Sequence, residues 1–310
     1  MGTPGFAVEP LRAILDAGFN VVAVITAPDK PAGRGLSLSF SAVKQFALER
    51  NLNILQPEKL KDAEFQATLK ALNPDVQVVV AFRMLPESVW SLPKIGTFNL
   101  HASLLPHYRG AAPINWAVIN GEKQTGVSTF FIEHEIDTGK IIYQEKVNIE
   151  PDDNAGTVHD KLMMTGSVLV VKTLKAIEAG NYPQIPQQMP ADGMLKPAPK
   201  LFTETCKIDW NKSTEAIHNL IRGLSPYPAA FTTMLNGDKS FSLKIFASEF
   251  EISAHQLAPG TIVSDRKKYM KVAASDGYIV VKTLQMQGKK RLEIDEFLRG
   301  MQQIESFHCQ

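Results

Sequence analysis

Residues 98–110 read FNLHASLLPHYRG, a stretch that begins like a buried strand and ends like a loop. Asn99 and His101 stand two positions apart at the join, and on a strand such residues share one face. Outward from here the chain alternates short apolar runs with helical spacings. Residues 21–26 (VVAVIT), 76–81 (VQVVVA) and 97–100 (TFNL) read as strands. Residues 41–50 and 63–72 carry apolar side chains at spacings of three and four, as amphipathic helices do, and 112–120 reads as a helix that Gly121 ends. Strands alternating with helices predict an α/β domain with a Rossmann-like, doubly wound, mostly parallel sheet. Ligands of such sheets bind beyond the carboxyl ends of the strands. Asn99 and His101 fall there.

From about residue 125 the pattern changes. Residues 127–132, 141–143 and 146–149 read as short antiparallel additions, and 158–179 as a long helix stopped at Gly180-Asn181. Residues 182–199 hold Pro183, Pro186, Pro190, Pro197 and Pro199, too many for a helix, and predict a semi-rigid connector. The expected division is therefore a catalytic domain over 1–182, a proline-rich linker over 183–203 and a C-terminal domain over 204–310. In that last part Ser213 is placed to cap a helix over 213–222, with Glu215 in its first turn. Short alternating strands follow, and Asn236-Gly237 and Asp276-Gly277 are strong hairpin signals. The expectation is a small OB-like β-barrel.

Composition narrows the class. At 310 residues, 44% hydrophobic and 21% charged, the chain has the mix of a soluble globular protein of two domains. No apolar run approaches the roughly 20 residues of a membrane helix. Cys206 and Cys309 are the only cysteines, which excludes a cysteine zinc cage and fits the cytoplasm. Residues 1–203 carry 19 basic and 20 acidic side chains and the remainder 14 and 12, so any contact with RNA must be a local patch.

The chemistry of Asn99 and His101 is complementary. An Asn amide donates to an oxygen gaining negative charge, and a His moves protons near neutral pH. No Ser or Cys beside them has a base arranged by sequence, so the pair suits a transfer in which the substrate brings the nucleophile. The alternative is structural: Asn99 caps a turn and His101 is a satisfied, half-buried histidine.

Asn99-Leu100-His101, with Ser103-Leu104-Leu105-Pro106 and Arg109-Gly110, resembles the signature of the folate-dependent formyltransferases. Ile136-Asp137-Thr138-Gly139 is similar to that family's second signature, whose Asp completes an Asn-His-Asp set. Residues 2–8 (GTPGFAV), 31–35 (PAGRG), 55–60 (LQPEKL), 111–114 (AAPI), 198–200 (APK), 208–210 (IDW), 221–224 (IRGL), 259–261 (PGT) and 297–300 (FLRG) extend the resemblance over nearly the whole chain. They resemble the members that act on initiator tRNA. The resemblance implies transfer of a formyl group from 10-formyltetrahydrofolate, as co-substrate, to the α-amine of initiator methionyl-tRNA. It implies no metal; no membrane partner and a monomer are the further expectations. Asn99 would bond the oxyanion, His101 would stabilise it or relay a proton, and Asp137 would orient His101. Ser103, Leu104, Leu105 and Pro106 would line the folate cleft, with backbone contacts from Phe82, Arg83, Met84 and Leu85. The family usually has Tyr-Gly where this chain has Phe82-Arg83, which makes the backbone path there a point to test.

On the tRNA side, Lys30 and Arg34 lie in a stretch resembling the loop that enters the acceptor stem. That loop is less basic here, since Leu36-Ser37-Leu38 stands where lysines are common. Arg266, Lys267 and Lys268, and Lys289, Lys290 and Arg291, are further candidate phosphate contacts; a solvated turn is the ordinary alternative for each. The family also has a short apolar strand before Met-Gly-Thr-Pro, so a preceding strand is expected, and its loss would expose sheet edges. An amino-sugar formyltransferase would keep the same site but differ in the basic loop and C-terminal domain. A 10-formyltetrahydrofolate hydrolase would replace the amine with water. A non-catalytic RNA-binding protein would explain the barrel but leave Asn99, His101 and Asp137 without a purpose.

Overall fold

The alternation of strand and helix signals resolves into two units in the computed structural model, which describes residues 1–32, 37–190, 193–301 and 303–310. One unit comprises 1–110, 124–148 and 159–197; the other comprises 111–123, 149–158 and 198–310. Among the described residues no helix is long and apolar enough to cross a membrane.

In the first unit α1 (Val8–Asp16) leads to β1 (Val24–Ile25), and β2 (Lys30–Ala32) pairs antiparallel with β3 (Ser37–Ser39). Next come α2 (Ala42–Glu49) and β4 (Ile54–Leu55), which lies parallel to β1. After α3 (Ala63–Ala71), β5 (Val76–Val80) runs parallel to β6 (Gly96–His101), with α4 (Glu87–Trp90) between them. The helix starts are chemically set. Ser41 Oγ accepts the Lys44 N–H at 3.0 Å and Asp62 Oδ1 the Phe65 N–H at 3.0 Å, each satisfying a first-turn donor. Phe65, Leu69, Val79, Leu85 and Val89 form a core against one face of β5.

Of the predicted strand over 21–26 only Val24 and Ile25 pair in a strand, because a strand needs a partner along its length. Gly2 donates its N–H to Ile25 at 3.0 Å, and the Met1 carbonyl accepts from Val80 at 2.9 Å, so Met1 and Gly2 supply a short rung between β1 and β5. Beside that rung lies a cavity of about 470 Å³, lined by Val21, Val22, Val24, Val76 and Val78 among others. Asn99, His101 and Asp137 are not among its lining residues.

Residues 111–123, with α5 (Pro113–Ile119), belong to the second unit. The first-unit sheet then continues with antiparallel β7 (Gln124–Phe131) and β8 (Ile141–Asn148), giving the order β5-β6-β7-β8; the antiparallel additions are as expected, but 141–143 and 146–149 form one strand and not two. The long helix appears as α6 (Ala155–Glu178). The proline-rich segment does more than connect. Ile185 exchanges both backbone hydrogen bonds with Ile141, at 2.8 and 2.9 Å, and the Lys196 carbonyl accepts from Tyr108 at 2.6 Å. As far as Pro197 it belongs to the first unit.

The C-terminal part of the second unit holds α7 (Thr214–Leu224), capped by Ser213 Oγ, which accepts the Ala216 N–H at 3.3 Å. Then follow β9 (Ala230–Asn236), β10 (Lys239–Ile252), β11 (Ile262–Ser264), β12 (Met270–Ala273), β13 (Gly277–Met286), β14 (Leu292–Glu293), α8 (Ile294–Gly300) and β15 (His308–Cys309). The strand order is β11-β12-β13-β10-β9-β15, and a bridge between Thr261 and His308 returns the last strand to the start of the first. That return makes the antiparallel sheet a nearly closed barrel. Register shifts in β10 around Ala247 let so long a strand bend. Leu243, Ile245, Met270, Val272, Ile279 and Val281 alternate inward to fill it.

Candidate active site

β6 ends in the site because its two faces have different partners. A side chain added at Gly166 of α6 would meet Leu100 at 2.8 Å, so Leu100 is the residue that packs against that helix. Asn99 and His101 take the other face. His101 is buried, with Nε2 at 2.8 Å from the Tyr108 carbonyl and the ring edge-on to Phe130. A carbonyl oxygen only accepts, so Nε2 carries a hydrogen. Nδ1 is left as the nitrogen facing Asp137, 3.8 Å from Oδ2.

Asp137 lies in the loop between β7 and β8, in the left-handed region at φ 56°. Its Oδ2 also accepts the Gly110 N–H at 2.9 Å. Two residues on, a methyl group at Gly139 would stand 1.7 Å from the Phe131 carbonyl oxygen, so only glycine fits and the loop can close there. Asn99, His101 and Asp137 thus come from one strand end and one adjoining loop. Together they offer an amide, an imidazole and a carboxylate, the groups needed to hold an oxyanion and move a proton.

The turn after His101 is internally satisfied. Ser103 Oγ donates to the His107 carbonyl at 2.7 Å, and Ser128 Oγ donates to the Ser103 carbonyl at 2.6 Å. Gln144 Nε2 donates to the Leu105 carbonyl at 3.0 Å. Ser103 and Leu105 are buried, whereas Leu104 and Pro106 are partly exposed. In the second stretch Leu85 is buried, Phe82 is half-buried, and Arg83 and Met84 are exposed. The left-handed residue of that turn is Ala81, at φ 47°, so Arg83 needs no glycine-like conformation. Its guanidinium folds back on the Glu58 carbonyl at 2.7 Å and on that of Pro57.

Lys30 is exposed, and Arg34 lies outside the described residues. Beside Lys30, the Asp29 carboxylate accepts from Lys44 and Gln56, and these bonds hold it below the usual carboxylate range. In the second unit Arg266 is paired with Glu305 at 2.8 Å, and the Arg291 guanidinium sits 3.5 Å over the Phe246 ring. Lys267, Lys268, Lys289 and Lys290 are exposed. The turn presenting the first two is stiffened by Asp265, whose Oδ1 accepts the N–H groups of Lys268, Tyr269 and Lys267 and whose pKa is driven down to about 2.

Two contributors carry no local sequence signal. Tyr108 acts on His101 through its backbone, and Gln187, which bonds the Asp137 loop, sits in a segment marked only by prolines. Neither periodicity nor spacing points to them.

Comparison with known proteins places both parts of the chain. The formyl transferase family matches residues 1–174, and the formyl transferase C-terminal domain matches 200–302. The chain is 58% identical over 302 residues to a methionyl-tRNA formyltransferase of Bacteroides thetaiotaomicron, covering 97% of this chain and 94% of that one. It is 56% identical over 309 residues to that of Bacteroides fragilis, covering 99% and 95%. Among solved structures, an N-formyltransferase of Helicobacter canadensis, in complex with folinic acid and dTDP-3-aminofucose, is similar in fold: TM-score 0.64, 20% identity, 94% of this chain and 97% of that chain. HypX of Aquifex aeolicus with tetrahydrofolic acid has a TM-score of 0.59 at 18% identity, over 81% of this chain and 43% of that one.

Proposed function

The chain belongs to the formyl transferase family, and from that membership we propose that it carries the formyl group of 10-formyltetrahydrofolate to the α-amine of methionyl initiator tRNA. It is a one-carbon group transferase of translation initiation. The observation that carries the reading is the meeting of the Asn99-His101 strand end with Asp137, in a chain similar over nearly its full length to methionyl-tRNA formyltransferases.

The donor supplies the formyl carbon; the chain's residues handle charge and protons. As the amine attacks, the formyl oxygen gains negative charge and the bond from carbon to the donor nitrogen breaks. Asn99 donates to that oxygen, an interaction worth about 3–4 kcal/mol of barrier when its geometry is preset. The amine loses a proton and the leaving nitrogen gains one. His101 trades protons through Nδ1, since Nε2 is committed to Tyr108. Asp137 faces Nδ1 and keeps the ring oriented and electrostatically supported.

The donor lies against Leu104 and Pro106 on one side and the Phe82–Leu85 stretch on the other, with exposed Met84 available to a flat ring. Ser103 and Leu105 keep the shape of this wall through their internal bonds. Lys30 and Arg34 approach the acceptor end of the tRNA. Lys267, Lys268, Lys289 and Lys290 contact phosphates, with Arg266 and Arg291 able to join them by leaving their present partners. Functionally the chain divides into a catalytic part over 1–182, a connector over 183–203 and an RNA-binding barrel over 204–310. It works as a cytoplasmic monomer without metal.

The test is incubation with 10-formyltetrahydrofolate and either methionyl initiator tRNA or a nucleotide-linked amino sugar. Formylmethionyl-tRNA is the expected product. Formylation of the sugar alone, or formate release without transfer, would overturn the assignment.

A further inference from the structure

Asp137 can serve the reaction only if the backbone beneath it holds a conformation that a residue with a side chain does not prefer. That region is uncommon for any residue with a side chain, although Asp adopts it more readily than most. Ile136, just before it, is exposed and supplies no buried anchor. The restraint comes instead from fifty residues away. Gln187 Nε2 donates to the Asp137 carbonyl at 2.8 Å and to the Gly139 carbonyl at 2.9 Å. Gln187 Oε1 accepts from Arg109 Nε at 3.1 Å and Nη2 at 2.6 Å.

The chemistry fixes which way this amide points. A guanidinium only donates and a carbonyl only accepts, so the oxygen must face Arg109 and the nitrogen must face the loop. The residue after Arg109 then closes the circuit, because the Gly110 N–H donates to Asp137 Oδ2 at 2.9 Å. Main chain and carboxylate of Asp137 are thereby held from the same short segment, one through Gln187 and the other directly. The backbone pairing of Ile185 with Ile141 anchors Gln187 two residues upstream.

We propose that Gln187 is a positioning residue for Asp137, with Arg109 orienting its amide. The inference rests on the role proposed for Asp137 in formyl transfer. Gln187 makes no contact with the reacting atoms; it sets the direction from which the Asp137 carboxylate meets His101 Nδ1.

The experiment is a double-mutant cycle on kcat with Gln187→Met and Asp137→Asn in the full chain. Gln187→Met keeps the side-chain length but removes all four hydrogen bonds. It is expected to lower kcat about 10- to 100-fold while leaving KM for both substrates nearly unchanged, the size of effect that a small misplacement produces. Asp137→Asn should then cost much less in the Gln187→Met background than alone, since its carboxylate is already misplaced. Gln187→Glu provides an independent variant. It retains the Arg109 partner but sets a carboxylate oxygen against two carbonyls, and it should also lose kcat. Equal cost of Asp137→Asn in both backgrounds would overturn the proposal while sparing the role of Asp137, because Gln187 would then act only through the fold. Native kcat in both Gln187 variants would do the same. A harmless Asp137→Asn alone would overturn both.

Discussion

His101 turns Nδ1 toward Asp137 at 3.8 Å because its Nε2 is already bonded to the Tyr108 carbonyl at 2.8 Å. The ring therefore has one nitrogen available for proton transfer, and the carboxylate stands on that side. Asp137→Asn keeps an acceptor for the Gly110 N–H and removes only the charge. Single-turnover formylation should slow by about 10²- to 10⁴-fold, the span of general acid–base effects, with tRNA binding retained. A near-native rate would remove Asp137 from the chemistry.

In the proposed mechanism Asn99 is the amide donor at the end of β6, and its contribution separates from that of His101. Asn99→Ala is expected to lower kcat by about 10²- to 10³-fold, as loss of a single oxyanion donor does. The donor affinity, read by fluorescence or calorimetry with a non-reactive folate, should change little. If affinity collapses with kcat, Asn99 holds the ground state rather than the developing charge.

Arg83 is predicted to act in stability and not in turnover. Its guanidinium bonds the carbonyls of Pro57 and Glu58, while the left-handed residue of the turn is Ala81. Arg83→Gly should therefore cost about 0.5–1.5 kcal/mol per bond lost at most, less for an exposed group, and leave kcat near native. A kcat loss comparable to that of Asn99→Ala would show that the guanidinium itself serves the reaction.

What could be read from the chain follows range of interaction. α7 with its Ser213 cap and the alternating barrel strands depend on residues a few positions apart, so their periodicity and turn residues were sufficient. That Asn99 and His101 share one face at a strand's end was legible, because β6 runs to His101 and side chains alternate along it. The short extent of β1 was not, because strand pairing depends on partners distant in the chain, such as Gly2, whose N–H bonds the Ile25 carbonyl. The left-handed Asp137 was also hidden, since the groups holding it, Gly110 and Gln187, are 27 and 50 residues away. Arg83 looked out of place because substitution of a glycine suggests lost backbone freedom. In the fold that freedom is needed two residues earlier.

The two thiols give a test of the barrel. Cys206 and Cys309 are buried, and burial raises both pKa values, that of Cys309 to about 12. The thiolate is the reactive form, so at pH 8 neither should react with a disulfide reagent in the native protein. Both should react after addition of denaturant. Rapid native labelling of Cys309 would contradict the packing of β15 against β9.

Asp265 provides a pH test at the turn that displays Lys267 and Lys268. Its carboxylate accepts the N–H groups of Lys268, Tyr269 and Lys267, which lower its pKa to about 2 in the folded protein. In the unfolded chain it titrates near 3.9, so between these values the unfolded state binds more protons. The stabilisation from this group is therefore complete above about pH 4 and is lost as pH falls toward about 2. Asp265→Asn keeps a side-chain acceptor but cannot titrate. Urea unfolding of both proteins at pH 7, 4 and 2.5 should show the native protein more stable at pH 7 and the difference narrowing below pH 4. A difference that is constant across that range would mean that the hydrogen bonds hold the turn without help from the charge.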